Sequence, residues 1–336
     1  MEGQMALIMT PPPGARAFLE AAGWGNADIL PLAGDASFRR YFRVVDGGRQ
    51  AVLMDAPPPH EDPRPFIHVA EYLRDIGLMA PAILARDLDQ GLLLIDDFGS
   101  VRMRETVDAD PSLEAEIYRG VVDVLIELHR YAPPAGLKPH GLDQWLDEIG
   151  LFTDWYCPEV GLEVDRDSFL AAWRAVLEPV NAQGQSVTEL RDYHAENIML
   201  LDGKTGLEGF GLLDFQDALV GHPAYDLVSM LEDARRDVSP EVEARELARY
   251  QAETGKGADF EQAYWALGAQ RNTRILGVFI RLWKRDGKPY YTQFQPRMWG
   301  LLERNLAHPA LAPVRAWFDA HVPVDKRAAY WAIPRT

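Results

Sequence analysis

Apolar positions along this chain follow two different periods. Over roughly the first hundred residues they come in short runs bounded by Gly, Pro and Asp: from Leu30, from Phe38 to Val45, Gln50 to Met54, Pro81 to Ala85 and Gly91 to Ile95. Runs of this length between turn residues predict β-strands, with Asp46-Gly47-Gly48 as a hairpin turn. A short helix over Ala15 to Gly23 precedes them. Between the third and fourth runs, Phe66, Ile67, Val69, Ala70, Leu73 and Ile76 recur at helical spacing, so Pro63 to Gly77 predicts an amphipathic helix that Gly77 stops. Past Gly99 the spacing becomes helical almost throughout. Leu113, Ile117, Val121, Val124, Leu125 and Leu128 form one stripe, read as core, and His129 with Arg130 closes that helix, where a cation suits the C-terminal dipole, so His129 reads as structural. The predicted architecture is α+β and bilobal: a small antiparallel β-sheet lobe with one amphipathic helix over residues 1–98, and a larger, mainly helical lobe over residues 99–336.

Composition narrows the setting. A chain of 336 residues with 47% hydrophobic and 25% charged positions fits a soluble globular protein of two lobes. Its single cysteine, Cys157, forms no internal disulfide and suits a reducing compartment. No apolar run is long enough to span a membrane, and the opening Met1 to Thr10 carries acidic Glu2 where a signal peptide is basic. A cytoplasmic monomer without a membrane partner is expected. The net charge of −17 argues against general nucleic-acid binding, because phosphate backbones repel such a surface.

The candidate chemistry lies in Leu190-Arg191-Asp192-Tyr193-His194-Ala195-Glu196-Asn197, the apolar run Ile198 to Leu201, and Gly211 to Asp217. The turn Asp202 to Gly206 sends the chain back as a second strand ending at Asp214, so two strands deliver three oxygen-bearing side chains to one edge. Asp192 is suited to orient and deprotonate an attacking hydroxyl. Asn197 and Asp214 are suited to supply hard oxygens to Mg²⁺ on ATP phosphates. An acidic surface loop with a capping Asp is the plain alternative. The turn Gly34-Asp35-Ala36-Ser37-Phe38 has residues small enough for backbone N–H groups to approach phosphate, or forms a simple hairpin.

The Asp-x-x-x-x-Asn spacing followed by Asp-Phe resembles the protein-kinase signature. With the apolar strand leading into Asp96-Asp97-Phe98-Gly99, and with Gly221 and Tyr225-Asp226-Leu227, nearly the whole chain resembles the aminoglycoside phosphotransferase and choline kinase branch of the kinase-like superfamily. Gly34 to Arg43, Met54 to Pro58, Asp192-Tyr193-His194, Asp214 to Ala218, Tyr225 to Ser229 and Arg281 to Lys288 look most like the bacterial anomeric kinases of N-acetylmuramate and N-acetylglucosamine. That resemblance implies a bilobal kinase fold, ATP and Mg²⁺ as cofactors, a small amino-sugar substrate, and phosphorylation at C1 in cell-wall recycling. It implies Asp192 as the catalytic residue, Asn197 and Asp214 as metal ligands, and Gly34 to Phe38 with Arg39 and Arg40 around the phosphates. Backbone groups of Asp96, Asp97 and Phe98 would hold adenine, and Asp226 would brace the catalytic loop.

Departures from the family pattern accompany the match. The third strand reads Val52-Leu53-Met54 where most kinases carry a phosphate-contacting Lys, so Arg39, Arg40 or Arg43 is expected to replace it. Glu71 on the amphipathic helix then lacks its usual partner and reads as a solvated position. Leu190 occupies the place of a His that braces the loop. In the helical lobe, Glu148 and Trp155 are candidates to hydrogen-bond and stack a sugar, with core packing as the alternative for Trp155. Asp217 faces either acceptor or solvent. Arg271, Arg274, Arg281, Arg285 and Lys288 fall on one face if Gln270 to Lys288 is a continuous helix. That face either pairs with surface acids or recognises an anionic acceptor such as the lactyl carboxylate of N-acetylmuramate. An aminoglycoside or other small-alcohol kinase, and a catalytically silent nucleotide-binding partner, remain as alternatives.

Overall fold

The computed structural model describes residues 9–32 and 38–332. The Gly34 to Ser37 part of the expected phosphate turn lies outside the described residues. Helix α1 (Ala15–Ala21) precedes strands β1 (Asp28–Pro31), β2 (Arg40–Asp46) and β3 (Arg49–Asp55). Helix α2 (Arg64–Asp75) follows, then β4 (Ile83–Asp87) and β5 (Leu92–Asp96). These five strands make one antiparallel sheet in the order β1-β2-β3-β5-β4. Its central strands β3 and β5 are buried on both faces, which is why they read as unbroken apolar runs rather than alternating ones. Phe42, Val44, Ala51, Leu53, Leu92 and Leu94 form one face of a core with Phe18 and Leu19 of α1.

Helices α3 (Met103–Ala109), α4 (Glu114–Leu128), α5 (Leu142–Leu151), the single turn α6 (Cys157–Glu159) and α7 (Arg166–Asn181) come next. A π-helical stretch over Phe152–Tyr156 joins α5 to α6. Then come β6 (Val187–Glu189), β7 (Ile198–Leu200), β8 (Phe210–Leu212) and β9 (Leu219–Gly221). The remaining α-helices are α8 (Ala224–Leu231), α9 (Pro240–Thr254), α10 (Ala258–Lys284), α11 (Gln295–Leu306) and α12 (Ala312–His321). The described chain forms two compact units, Met1–Thr106 with Glu196–Asp217, and Val107–Ala195 with Ala218–Thr336. The β7–β8 hairpin therefore belongs with the sheet, although it follows β6 in sequence. Its ties are local to that unit: the Leu212 N–H donates to Met79 O at 2.7 Å and the Leu200 N–H to Val101 O at 2.8 Å.

Two expectations change. His129 does close α4 in a structural role, but not as a cation: burial, helped by Lys256, lowers its pKa to about 3, and its Nδ1 lies 2.6 Å from the Tyr250 hydroxyl. The five basic residues from Arg271 to Lys288 do not share one helical face, because α10 stops at Lys284. Gly287 at φ 66 takes the left-handed turn, and the Gly287 and Lys288 N–H groups close back on Trp283 O and Leu282 O at 3.1 and 3.0 Å. That paired closure ends the helix and leaves Lys288 beyond it.

Candidate active site

In the first unit the β7–β8 hairpin brings Asn197 and Asp214 together. Asn197 immediately precedes β7, and its carbonyl accepts the Leu213 N–H at 3.0 Å. Asn197 Nδ2 lies 3.4 Å from Asp214 Oδ2. Gln216 Nε2 donates to Asp214 Oδ1 at 2.8 Å, and Arg39 Nη2 lies 3.5 Å from the same oxygen. Asp214 sits at φ 58, a left-handed conformation unusual for a residue with a Cβ. Its neighbour Phe215 stacks on Phe66 of α2 with ring centroids 4.9 Å apart, so packing holds the strained residue in place. A half-exposed carboxylate beside an amide, which presents Oδ1 after a simple flip, fits a hard divalent cation that takes its remaining ligands from water and phosphate. Among the described residues no group of three or more His, Cys, Asp or Glu side chains is gathered for a metal.

The three arginines considered as stand-ins for the absent third-strand Lys separate clearly. Arg40 pairs with buried Asp55 at 2.5 Å, and Arg43 with Asp97 at 2.5 Å and with the Gly99 carbonyl at 2.9 Å. Only Arg39 approaches Asp214. The 96–99 segment is well braced: Asp96 Oδ2 accepts the Ala82 N–H at 3.0 Å, and Asp97 Oδ1 accepts the Gly99 N–H at 2.8 Å. Phe98 rests against Gly211, where a Cβ would clash with its ring. Phe38 is exposed and stacks on His60 at 5.0 Å. Asp217 is exposed, with Gln216 Nε2 3.4 Å away. Glu71 pairs only loosely with Arg86, at 3.8 Å on the surface.

In the second unit β6 leads into the loop carrying Asp192. Leu190 is buried, and Asp226, in the first turn of α8, accepts the Leu190 N–H at 2.5 Å and the Arg191 N–H at 2.9 Å. Burial and the nearby Glu189 charge raise Asp226 well above the usual carboxylate range, against the pull of those two N–H groups. Tyr193 donates to the Val121 carbonyl at 2.7 Å, and the Ala195 N–H donates to Asp233 at 3.0 Å. Asp192 is half-buried between these anchors.

A charge network lies behind this loop, part of which is not evident from the sequence. Arg191, left-handed at φ 68, donates to Glu148 Oε1 at 2.5 Å. Glu148 Oε2 lies 3.3 Å from Gln270 Nε2, 3.4 Å from His140 Nε2 and 3.6 Å from Arg274 Nε. The other nitrogen of His140 meets buried Glu189 at 2.7 Å, and Gly221 leaves room for that carboxylate. Burial alone would raise Glu148, but Arg274, His140 and Arg191 outweigh it and hold its pKa at about 2. Burial alone would lower His140, but Glu189 and Glu148 lift it to about 9. Glu148 thus has both oxygens engaged by protein groups. The one hint in the sequence is a charged Glu189 between Val187 and Leu190 just before the loop.

Other predicted substrate residues fall differently. Arg271 is buried and donates to the Glu232 carbonyl at 3.2 Å. Trp155, in the π-helical stretch, is half-buried and has no ring or hydrogen-bond partner among the described residues. Arg285 is exposed and pairs with Asp286 at 2.7 Å.

A profile of the phosphotransferase enzyme family matches residues 28–264. The chain is 38% identical to the N-acetylmuramate/N-acetylglucosamine kinase of Caulobacter vibrioides, over 93% of this chain and 96% of that protein. It is 35% identical to the protein of the same name from Pseudomonas aeruginosa, over 87% and 89%. Among solved structures, a choline/ethanolamine kinase family protein from Mesorhizobium loti superposes with a TM-score of 0.61 at 16% identity, over 90% of this chain and 98% of that one. Aminoglycoside phosphotransferase APH(3'')-Id from Streptomyces rimosus, in complex with ADP and streptomycin, gives 0.54 at 17% identity, over 77% and 96%. Likeness at that identity speaks to fold alone, and it agrees with the antiparallel sheet and mainly helical remainder described above.

Proposed function

The chain belongs to the phosphotransferase enzyme family, and from that premise we propose that it transfers the γ-phosphoryl group of ATP to the anomeric C1 hydroxyl of N-acetylmuramate and N-acetylglucosamine. The observation that carries this reading is the co-occurrence of Asp192, Asn197 and Asp214 in a chain similar to N-acetylmuramate/N-acetylglucosamine kinases over nearly its full length.

In this scheme the acceptor oxygen bonds to the γ-phosphorus as the bond to the leaving ADP oxygen breaks, and Asp192 takes or orients the proton of the attacking hydroxyl. Asn197 and Asp214 hold Mg²⁺, which when bound neutralises charge on the phosphates. Arg39 adds a fixed cation beside Asp214. Backbone groups of Asp96 to Phe98 hold adenine. Asp226 fixes the loop backbone. Catalysis then comes from positioning and charge neutralisation more than from a strong base.

The test is ³¹P NMR of the full chain with Mg-ATP and a panel of N-acetylmuramate, N-acetylglucosamine, plain hexoses, aminoglycosides and choline. An acid-labile C1 phosphate on an N-acetyl sugar, absent with Asp192→Asn, is expected. Transfer only to another acceptor would replace the substrate assignment, and Mg-ATP binding without any transfer would leave a silent nucleotide-binding protein.

A further inference from the structure

From Gln270 to Arg281, helix α10 is buried except at Arg274, Val278 and Arg281, which recur at intervals of four and three and so share one face. Arg274 is committed to Glu148. Arg281 is not committed: no carboxylate lies within ion-pair distance of it among the described residues, and its Nε–H is buried without a hydrogen-bond partner. A buried donor left unpaired is costly, and such groups are rare unless a ligand or water meets them. The surroundings compound the deficit. Burial, then the charges of Arg285 and Arg274, pushes the Arg281 guanidinium below its ordinary range. Asp286 opposes this weakly, since both its oxygens are taken by Arg285 at 2.7 and 2.9 Å. On a chain of net charge −17, Arg281 is thus a local cation lacking its anion.

Resting on the kinase reading above, we infer that Arg281 is a specificity-determining residue that reads the carboxylate of the acceptor, and that Arg281 with Val278 forms a subsite for the lactyl ether of N-acetylmuramate. A guanidinium offers the planar donor fork that a carboxylate fits, and Val278 offers an apolar neighbour for the lactyl methyl. The placement agrees with the chemistry. Arg274 feels the Asp192 charge, and Arg281 lies seven residues farther, about 10 Å along the helix, so the carboxylate reader is offset from the group that handles the hydroxyl. Gly277 fixes this face: a Cβ there would run into the Leu151 carbonyl, so α10 is seated directly against the end of α5, the helix that carries Glu148.

The experiment is steady-state kinetics of the full chain with Mg-ATP on both sugars, comparing the parent, Arg281→Gln and Arg281→Lys. Arg281→Gln is expected to raise KM for N-acetylmuramate about tenfold or more. KM for ATP and for N-acetylglucosamine, which lacks the acid, should stay within about twofold. Arg281→Lys, which keeps charge but loses the fork, should recover part of the preference; if Arg281→Gln does not fold, Arg281→Lys carries the same comparison. Equal loss on both sugars, a shift confined to KM for ATP, or an unchanged preference would overturn the inference and leave the kinase reading standing. A parent chain that phosphorylates neither sugar would remove that reading and this one with it.

Discussion

Arg191 and Asp214 are the only non-glycine residues with positive φ among the described residues. Backbone held in that region costs about 1–3 kcal/mol, and it persists only where neighbours over-determine it. Both residues are tethered: Arg191 through its N–H to Asp226 and its guanidinium to Glu148, and Asp214 through Gln216, Arg39 and the packing of Phe215. Such positions concentrate at working sites, and here each lies in a segment singled out on chemical grounds. At this scale Asp214→Ala should abolish turnover and weaken Mg-dependent ATP binding, whereas Asp192→Asn should spare nucleotide binding while turnover falls by about a hundredfold or more; near-normal turnover of either variant would refute the assignment. The arginines supply a sharper comparison. Arg39→Met should weaken Mg-ATP binding, measured by titration calorimetry, more than Arg40→Met or Arg43→Met, because those two already serve Asp55 and Asp97. Equal effects would return the phosphate-contacting role to all three.

Among the elements, α5, β6 and α10 are joined by charge as well as by apolar packing. His140, Glu148, Glu189 and Arg274 come from different segments and meet behind the Asp192 loop. His140 has a pKa of about 9 in the fold against an ordinary 6.5, so the folded chain holds a proton that the unfolded chain releases. Its stabilisation is complete below about pH 6.5 and is lost as pH rises through about 9. Urea unfolding between those limits should show the parent losing about 1.4 kcal/mol per pH unit more than His140→Gln, one proton's worth. Parallel curves for the two proteins would mean that the proton belongs to the His140–Glu189 pair rather than to the imidazole, since burial also raises the Glu189 carboxyl. Seating of α10 on α5 gives a second check. Gly277→Ala forces a methyl into the backbone at Leu151 and Phe152, and should cost about 1–3 kcal/mol by thermal or urea unfolding. A neutral outcome would show that the helices separate freely.

For the whole molecule the coupling is between ligand and stability. A ligand that binds only the folded chain stabilises it by about 2.7 kcal/mol at a hundred times its Kd, so Mg-ATP should raise the melting temperature of the parent and leave Asp214→Ala nearly unmoved. An equal rise in both would place the nucleotide away from Asp214. Much of this protein was legible before any coordinates. Strand and helix order, the β7–β8 hairpin and the Asp192, Asn197 and Asp214 spacing are properties of short windows, where hydrophobic period and turn residues act directly on the local backbone. The position of Asp226 beneath the loop followed from resemblance, and its two hydrogen bonds supply the physical reason. What the sequence left open are matters of partnership. Arg191 meets Glu148 from 43 residues away and His140 meets Glu189 from 49, so neither the imidazolium nor the engaged state of Glu148 leaves a local trace. The basic face shows the same limit: spacing put five cations on one helix, while the Gly287 closure cut the helix short, burial took Arg271 inward, and Glu148 claimed Arg274. Periodicity and motif were thus set by the chain itself. Which charges are spent on the fold and which remain for a ligand was decided only by tertiary structure, because pairing depends on distance in space and on the cost of burying a charge alone.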